Sequence, residues 1–260
     1  IGARADLARH LSGERIAAEL NRLFEASQPS VGLRLMAGTG LLAVIAPELA
    51  AQIGVAQNKI PGEDLWDHTV RAVDAAPVER PIVRLAALLH DIGKPATASD
   101  EGFPQHDTVG ADMAVALLAR IRMPRAIQER IAHLIRHHMF SYEATWSDTA
   151  VRRFITRIGE HALEELFELR EADNVGSGLP RDTGLTELRR RVTEQLEANV
   201  PLTRSDLAID GNDLMQELGL PPGPSLGRIL EDLLDRVLVD TTLNDRPTLL
   251  MLAQGMLTEA

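Results

Sequence analysis

Imidazoles and carboxylates carry the chemistry available to this chain. Of its eight histidines, seven fall in one central stretch, and five of these stand at telling positions: His68, His90, His106, His137 and His138. His90 is followed directly by Asp91, and Asp173 lies further along the same stretch. Cysteine is absent, so disulfides, thiolate nucleophiles and cysteine-ligated zinc are excluded, and any bound metal must rest on His, Asp and Glu. A nitrogen-and-oxygen ligand set without sulfur suits Fe, Mn, Ni, Co or Zn. Singly, an inward histidine is most often a hydrogen-bonded core residue, and an aspartate near a helix end is most often solvated. Jointly, residues of these types, each at a helix end or in the adjoining loop, point to a shared metal site.

Helices must position them, and apolar periodicity predicts where. Ser12 can cap a helix that carries Ile16, Leu20, Leu23 and Phe24 on one face. The pattern continues through 33–36 to Gly38, then over 41–45 to Pro47. A helix from near Glu63 to before Pro77 holds His68. A very apolar one over 82–90 ends in His90 and Asp91 and stops at Gly93 and Pro95, which sets two ligands at a core edge. His106 falls in the loop that follows. Further helices are predicted over 109–121, 125–138, 149–158, 162–174, 185–199 and 226–238. At a helical pitch, Ile127, Ile131, Leu134 and Ile135 centre on a stripe that includes His138, with His137 on its border. Leu166, Phe167, Arg170 and Asp173 share another face. No hairpin signal interrupts the series, so the fold class is all-α, a multi-helix bundle flanked by helical segments. Turn-rich punctuation at 54–62 and 176–180 divides it into 1–60, 61–180 and 181–260.

The 260 residues are 45% hydrophobic and 25% charged, an ordinary globular composition. No apolar run is long enough to span a membrane, so no membrane partner is expected, and no secretory leader is evident. The lack of cysteine leans toward a cytoplasmic setting. A net charge of −11 argues against whole-molecule attraction to nucleic acid, although local arginine clusters remain. One comprises Arg181, Arg189, Arg190 and Arg191; a second comprises Arg120, Arg122 and Arg125. The chain opens on Ile1, which suggests a piece of something longer.

The order His68, His90-Asp91, Asp173, with His106 and His138 between, resembles the HD-domain metal-dependent phosphohydrolases. The segments LLHDIGKPATASDEGFPQHDTVGADMA and LIRHHM narrow the likeness to the HD region of bacterial tRNA nucleotidyltransferases (CCA-adding enzymes) and poly(A) polymerase-like relatives. The flanks agree. SGERIAAELNRLF and GLRLMAGTGLLAVIAPEL resemble the RNA-binding helical region of that family, and the segment from Pro201 to Leu250 is similar to its C-terminal tail. The family's nucleotidyltransferase head has no counterpart before Ser12, and GSGLPRD at 176–182 reads as a connector between helices. The chain is therefore expected to lack nucleotidyl transfer without that head domain.

The resemblance implies a metal set of His68, His90, Asp91 and Asp173, with His106 and His138 on a second ion and His137 a weaker alternative. The cofactor would be one or two divalent transition metals (Ni, Mn, Fe, Co or Zn), with Mg also admissible. Asp91 would bridge the ions and serve catalysis. Lys94 would act with it and, like Arg170, pair with a substrate phosphate. The implied reaction is hydrolysis of a nucleotide phosphoester, as phosphodiesterase or phosphatase. The implied partner is tRNA or another RNA, with Arg181, Arg189, Arg190 and Arg191 as contacts. Two other readings stay open: an RNA-binding module whose HD metal site is only structural, and a free-standing HD nucleotide phosphohydrolase.

Overall fold

Short polar side chains start the helices. In the computed structural model, which describes residues 2–57 and 59–258 and the side chains from Ala5 onward, Ser12 accepts the amide of Arg15 at the head of α1 (Gly13–Phe24). Pro29 and Pro47 open α2 (Pro29–Gly38) and α4 (Pro47–Ala50), with α3 (Leu41–Ile45) between them. Asp64 and Asp67 form a reciprocal capping box on α5 (Leu65–Ala75), satisfying amides that the first turn leaves unpaired. There follow α6 (Pro81–Leu89), α7 (His106–Arg120), α8 (Arg125–His137), α9 (Asp148–Ile158) and α10 (Glu160–Gly176). The series ends with α11 (Leu185–Glu197), α12 (Gly211–Leu218), α13 (Pro224–Val239) and α14 (Arg246–Thr258). The chain is all-α: 68% is helical, and the described residues contain no sheet, only two isolated bridges.

The chain folds into two compact units. The first comprises residues 1–141 and 161–185, the second 142–160 and 186–260. In the second, Leu207, Ile209, Leu214, Leu233, Val237 and Leu249 join one apolar core.

The first unit is built around α6, which is apolar nearly all round and buried at Val83, Leu85, Ala86, Ala87, Leu88 and Leu89. Its one charge, Arg84, is buried too. Arg84 donates to the Ala76 carbonyl at 3.2 Å and to those of Phe24 and Ala26, so one guanidinium ties the C-terminal ends of α1 and α5 to α6. At the other end of α6, the chain turns at Gly93. A Cβ there would lie 2.4 Å from the His106 carbonyl oxygen and 2.6 Å from the Gly110 amide nitrogen. Only glycine lets α7 cross so close, and that crossing brings His106 beside the end of α6. Arg130 on α8 makes a two-pronged ion pair with the buried Glu165 on α10, which fixes α10 against α8.

Several boundaries differ from the sequence reading. His106 is the first residue of α7 rather than part of a loop. The helix of Asp173 runs on to Gly176, so Asp173 lies inside its last turns. The helices α12 and α14 were not expected: α12 is short and opens on glycine, and α14 is apolar around most of its circumference and so presents no single stripe.

Candidate metal centre

Four imidazoles form an edge-to-face row in the core of the first unit. Ring centroids are 5.1 Å apart for His68 and His90, 5.3 Å for His90 and His138, and 5.3 Å for His138 and His106. His68 comes from the first turns of α5, His90 follows α6, His106 heads α7 and His138 caps α8. The two carboxylates, Asp91 after α6 and Asp173 on α10, complete the cluster, and all six residues are buried.

The hydrogen bonds fix the tautomers. The Nδ1 atoms of His90, His106 and His138 face the carbonyl oxygens of Ala87, Phe103 and Ile135 at 2.8, 2.8 and 2.6 Å. A carbonyl only accepts, so each Nδ1 carries a proton, and each ring in its neutral form turns a bare Nε2 lone pair inward. This use of the outer ring nitrogen is how metal-ligating histidines are held in register.

Asp91 stands between two groups. Its Oδ2 lies 3.2 Å from the Nε2 atoms of both His68 and His90, while its Oδ1 lies 3.5 Å from that of His106 and 3.8 Å from that of His138. Asp173 Oδ1 lies 3.4 Å from His68 Nε2 and 3.7 Å from His90 Nε2. Lone pairs and anionic oxygens at such distances repel unless a cation sits among them. The Nε2 atoms of His106 and His138 are buried without a hydrogen-bond partner, and those of His68 and His90 face each other at 3.0 Å. Donor atoms each about 2.0–2.2 Å from one ion lie roughly 3 Å apart, so the donor set fits a divalent metal. Two triads have ligand atoms within 4.8 Å of one another: His68, His90 and Asp173, and Asp91, His106 and His138.

Proton affinities follow the same demand for positive charge. Burial disfavours charge on His90, but Asp91 and Asp173 overcome it and raise its pKa to about 9, so at neutral pH its Nε2 binds a proton that a metal ion would have to displace. Burial opposes the charge on Asp91 as well, yet His90 and the surrounding imidazoles hold it well below the usual carboxylate range. Asp173 is likewise lowered, its burial outweighed by His90. Burial lowers His68 and His106, which keeps their lone pairs available.

A cavity of about 550 Å³ opens over the cluster, with Lys59, Lys94, Arg170, Phe103 and Ser177 among its lining residues. Lys94 is buried, donates to Asp91 Oδ2 at 2.7 Å and lies 5.6 Å from the Phe103 ring centre. Arg170 donates to Asp173 Oδ2 at 2.8 Å and rests on Phe140. Lys59, which sequence reasoning missed, donates to Ser177 Oγ at 2.8 Å. Burial lowers its pKa, with Asp173 opposing that shift. Ser177 and Leu179 were also missed, since the 176–180 segment reads only as a connector. His137 stands apart from both triads, its ring 4.6 Å from that of His133.

The arginines considered for RNA are divided between the two units. Arg181, in the first unit, pairs with Glu171 and donates to the Ala75 carbonyl at 2.9 Å. In the second unit, Arg190 is exposed between Glu187 and Glu194. Arg191 is held by Asp148, the Trp146 carbonyl and Tyr142. Arg189 is half-buried beside them. Arg120 and Arg125 pair with Glu48 and Glu129.

Comparison with known proteins agrees with this architecture. Residues 42–177, just over half of the chain, match the HD domain family. Residues 1–53 match the family described as "Probable RNA and SrmB-binding site of polymerase A". The chain is 37% identical over 236 residues to a CC-adding tRNA nucleotidyltransferase of Thermus thermophilus, covering 85% of this chain and 52% of that protein. It is 33% identical over 235 residues to an A-adding tRNA nucleotidyltransferase of Deinococcus radiodurans, covering 85% and 53%. A multifunctional CCA protein of Pseudomonas fluorescens is 33% identical over 141 residues, which is 52% of this chain and 34% of that protein. The chain thus spans about half the length of the first two relatives. HD domains bind divalent metals, and among the described residues no helix is long and apolar enough to cross a membrane. The chain belongs to the HD-domain family, and its matches are consistent with the C-terminal region of a CCA-adding enzyme.

Proposed function

We propose that this chain is the RNA-binding and phosphohydrolase portion of a tRNA nucleotidyltransferase-type protein, working in the cytoplasm. In this reading residues 1–60 and 181–260 dock tRNA, and 61–180 hydrolyse a nucleotide phosphoester. Nucleotidyl transfer would require a head domain as partner. The observation that carries the reading is the set of imidazoles, each with its Nδ1 on a backbone carbonyl, whose Nε2 atoms converge on Asp91.

His68, His90 and Asp173 would hold one divalent ion and His106 and His138 a second, with Asp91 offering one oxygen to each. Bound there, the metal supplies Lewis acidity toward water and phosphate and neutralises developing charge. The protein's own groups do the rest. The carbonyls of Ala87, Phe103 and Ile135 hold the rings in their ligating tautomers. Lys94 and Arg170, drawn from their carboxylates, would take the phosphate oxygens. Phe103 shields one side of Lys94 from water.

A second reading, an RNA-binding module with a purely structural cluster, draws on Lys94 and Arg170 already neutralising Asp91 and Asp173. One experiment separates the two. Metal content is measured by plasma mass spectrometry, and bis-p-nitrophenyl phosphate and p-nitrophenyl phosphate are assayed with Ni, Mn, Co, Zn or Mg supplied. We expect metal and hydrolysis in the wild type and the loss of both in Asp91→Asn, with helical circular dichroism unchanged. Full hydrolysis by Asp91→Asn would mean the wrong site; bound metal without hydrolysis of either ester would favour the structural reading.

A further inference from the structure

Only two of the chain's 27 basic residues are lysines, Lys59 and Lys94. Three basic residues line the cavity over the HD cluster, and both lysines are among them. A composition this poor in lysine makes their meeting at one cavity notable, because lysine and arginine bind anions differently. An ammonium is a compact charge with three donors, whereas a guanidinium is a broad planar fork.

The three cations are not equally committed. Lys94 and Arg170 donate to carboxylates at 2.7 and 2.8 Å, and their side chains are 9% and 21% exposed. Lys59 is the most open at 35%, and its carboxylate contact, to Asp173 Oδ1, is long at 3.8 Å. Its short bond goes to a neutral hydroxyl, Ser177 Oγ. With one N–H on Ser177 and one toward Asp173, the ammonium keeps a third donor for a ligand.

Lys59 is also held in place. Its neighbour Ile60 packs so closely on Gly178 that a Cβ there would lie 2.9 Å from Ile60 Cδ1. Glu63 pairs with Arg71, which donates to the Gly176 carbonyl at 3.1 Å. The connection before α5 is thereby fastened to the 176–178 turn, and the ammonium is presented at the cavity.

We propose that Lys59 is a substrate-holding residue of the HD cleft, taking a phosphate oxygen of the substrate alongside Lys94. This rests on the phosphohydrolase reading above, and inorganic phosphate tests it without requiring turnover. The metal-supplied chain is titrated with inorganic phosphate by calorimetry, and metal content is measured on the same samples. A charge-assisted hydrogen bond lost from a partly shielded site weakens binding roughly tenfold or more, so Lys59→Ala should bind phosphate at least about tenfold more weakly than wild type, with equal metal. Lys59→Arg should recover part of the loss. Ser177→Ala, which removes the neutral tether and a long 3.4 Å hydrogen bond to Asp173 Oδ1 but no charge, should change binding far less. Arg228→Ala, an exposed charge in the other unit, should change nothing. Where a phosphoester is hydrolysed, Lys59→Ala should raise KM more than it lowers kcat. Wild-type phosphate affinity in Lys59→Ala, no measurable phosphate binding by the wild type, or metal lost together with phosphate would each overturn the proposal. Phosphate binding through Lys59 without hydrolysis of any ester would instead count against the phosphohydrolase reading alone.

Discussion

A single absent methyl group governs the environment of His68. Its Nδ1 is buried without a partner, unlike those of the other three rings, and it lies beside Gly176. A Cβ on Gly176 would lie 3.1 Å from that nitrogen, 3.0 Å from the His68 carbonyl oxygen and 3.0 Å from Ala72 Cβ. Gly176→Ala therefore pushes on the His68 ring without removing a ligand. Disturbing the residues that orient a ligating histidine typically costs about 10–100-fold in metal affinity, so we expect a loss of about tenfold in a competition titration with a chromogenic chelator. The metal-free variant should melt close to the wild type, because replacing a helical glycine by alanine gains about 1 kcal/mol and offsets part of the crowding. Unchanged metal affinity would show that the ring accommodates the methyl.

Single residues also mark the limit of what the sequence alone reveals about the site. His90-Asp91 at the end of an apolar helix is legible because type and position agree. Asp173 and His138 are legible because helical periodicity turns them inward. Lys59 and Ser177 lie in turn-rich connections, where periodicity gives no direction. Only the folded chain brings the 54–62 connection against the 176–178 turn.

Among the elements, α6 does most to set the geometry, and Arg84 shows how an apolar helix can hold a charge. Arg84 is 2% exposed, and its guanidinium satisfies carbonyls at Phe24, Ala26 and Ala76, helix ends whose oxygens lack partners within their own helices. Orphaning buried acceptors costs about 1–3 kcal/mol each, less what water recovers, so Arg84→Ala should lower unfolding stability by about 2–4 kcal/mol in urea. Arg84→Met keeps the apolar stem and should regain less than half of that. A methionine variant as stable as wild type would mean that the carbonyl contacts contribute nothing. The elements were legible where apolar residues form one stripe, as in α1, α5 and α8. The helices α12 and α14 were not: α12 is only eight residues long, too short for its period to stand out, and α14 has no distinct face. The tight crossing of α7 at Gly93 was likewise hidden: the sequence presents that glycine as a helix stop, and its close approach to Gly110 exists only in three dimensions.

At the scale of the whole molecule, the proposed RNA contact would work against a net charge of −11. Neighbouring arginines in the second unit are therefore not equivalent, and their partners predict which of them can serve. Arg190 is exposed, and its partners Glu187 and Glu194 lie on its own helix, in ion pairs that a phosphate can replace with little loss. Arg191 is 13% exposed, and its partners come from residues 142–148, so it anchors that segment to α11. If the chain docks tRNA through this helix, Arg190→Ala should flatten the log–log salt dependence of binding by about one unit, the counterions of one phosphate contact. Sequence preference should stay unchanged, because such contacts position rather than specify. Arg191→Ala should leave the slope alone and lower the melting temperature instead, since it frees the segment carrying Tyr142 and Trp146. Filter binding of tRNA between 50 and 200 mM salt, about the range over which phosphate contacts dominate, reads the first effect, and differential scanning calorimetry reads the second. A slope that responds to Arg191→Ala and ignores Arg190→Ala would reverse the assignment. A wild-type slope near zero would mean that the acidic field prevails and that this helix is not where RNA is held.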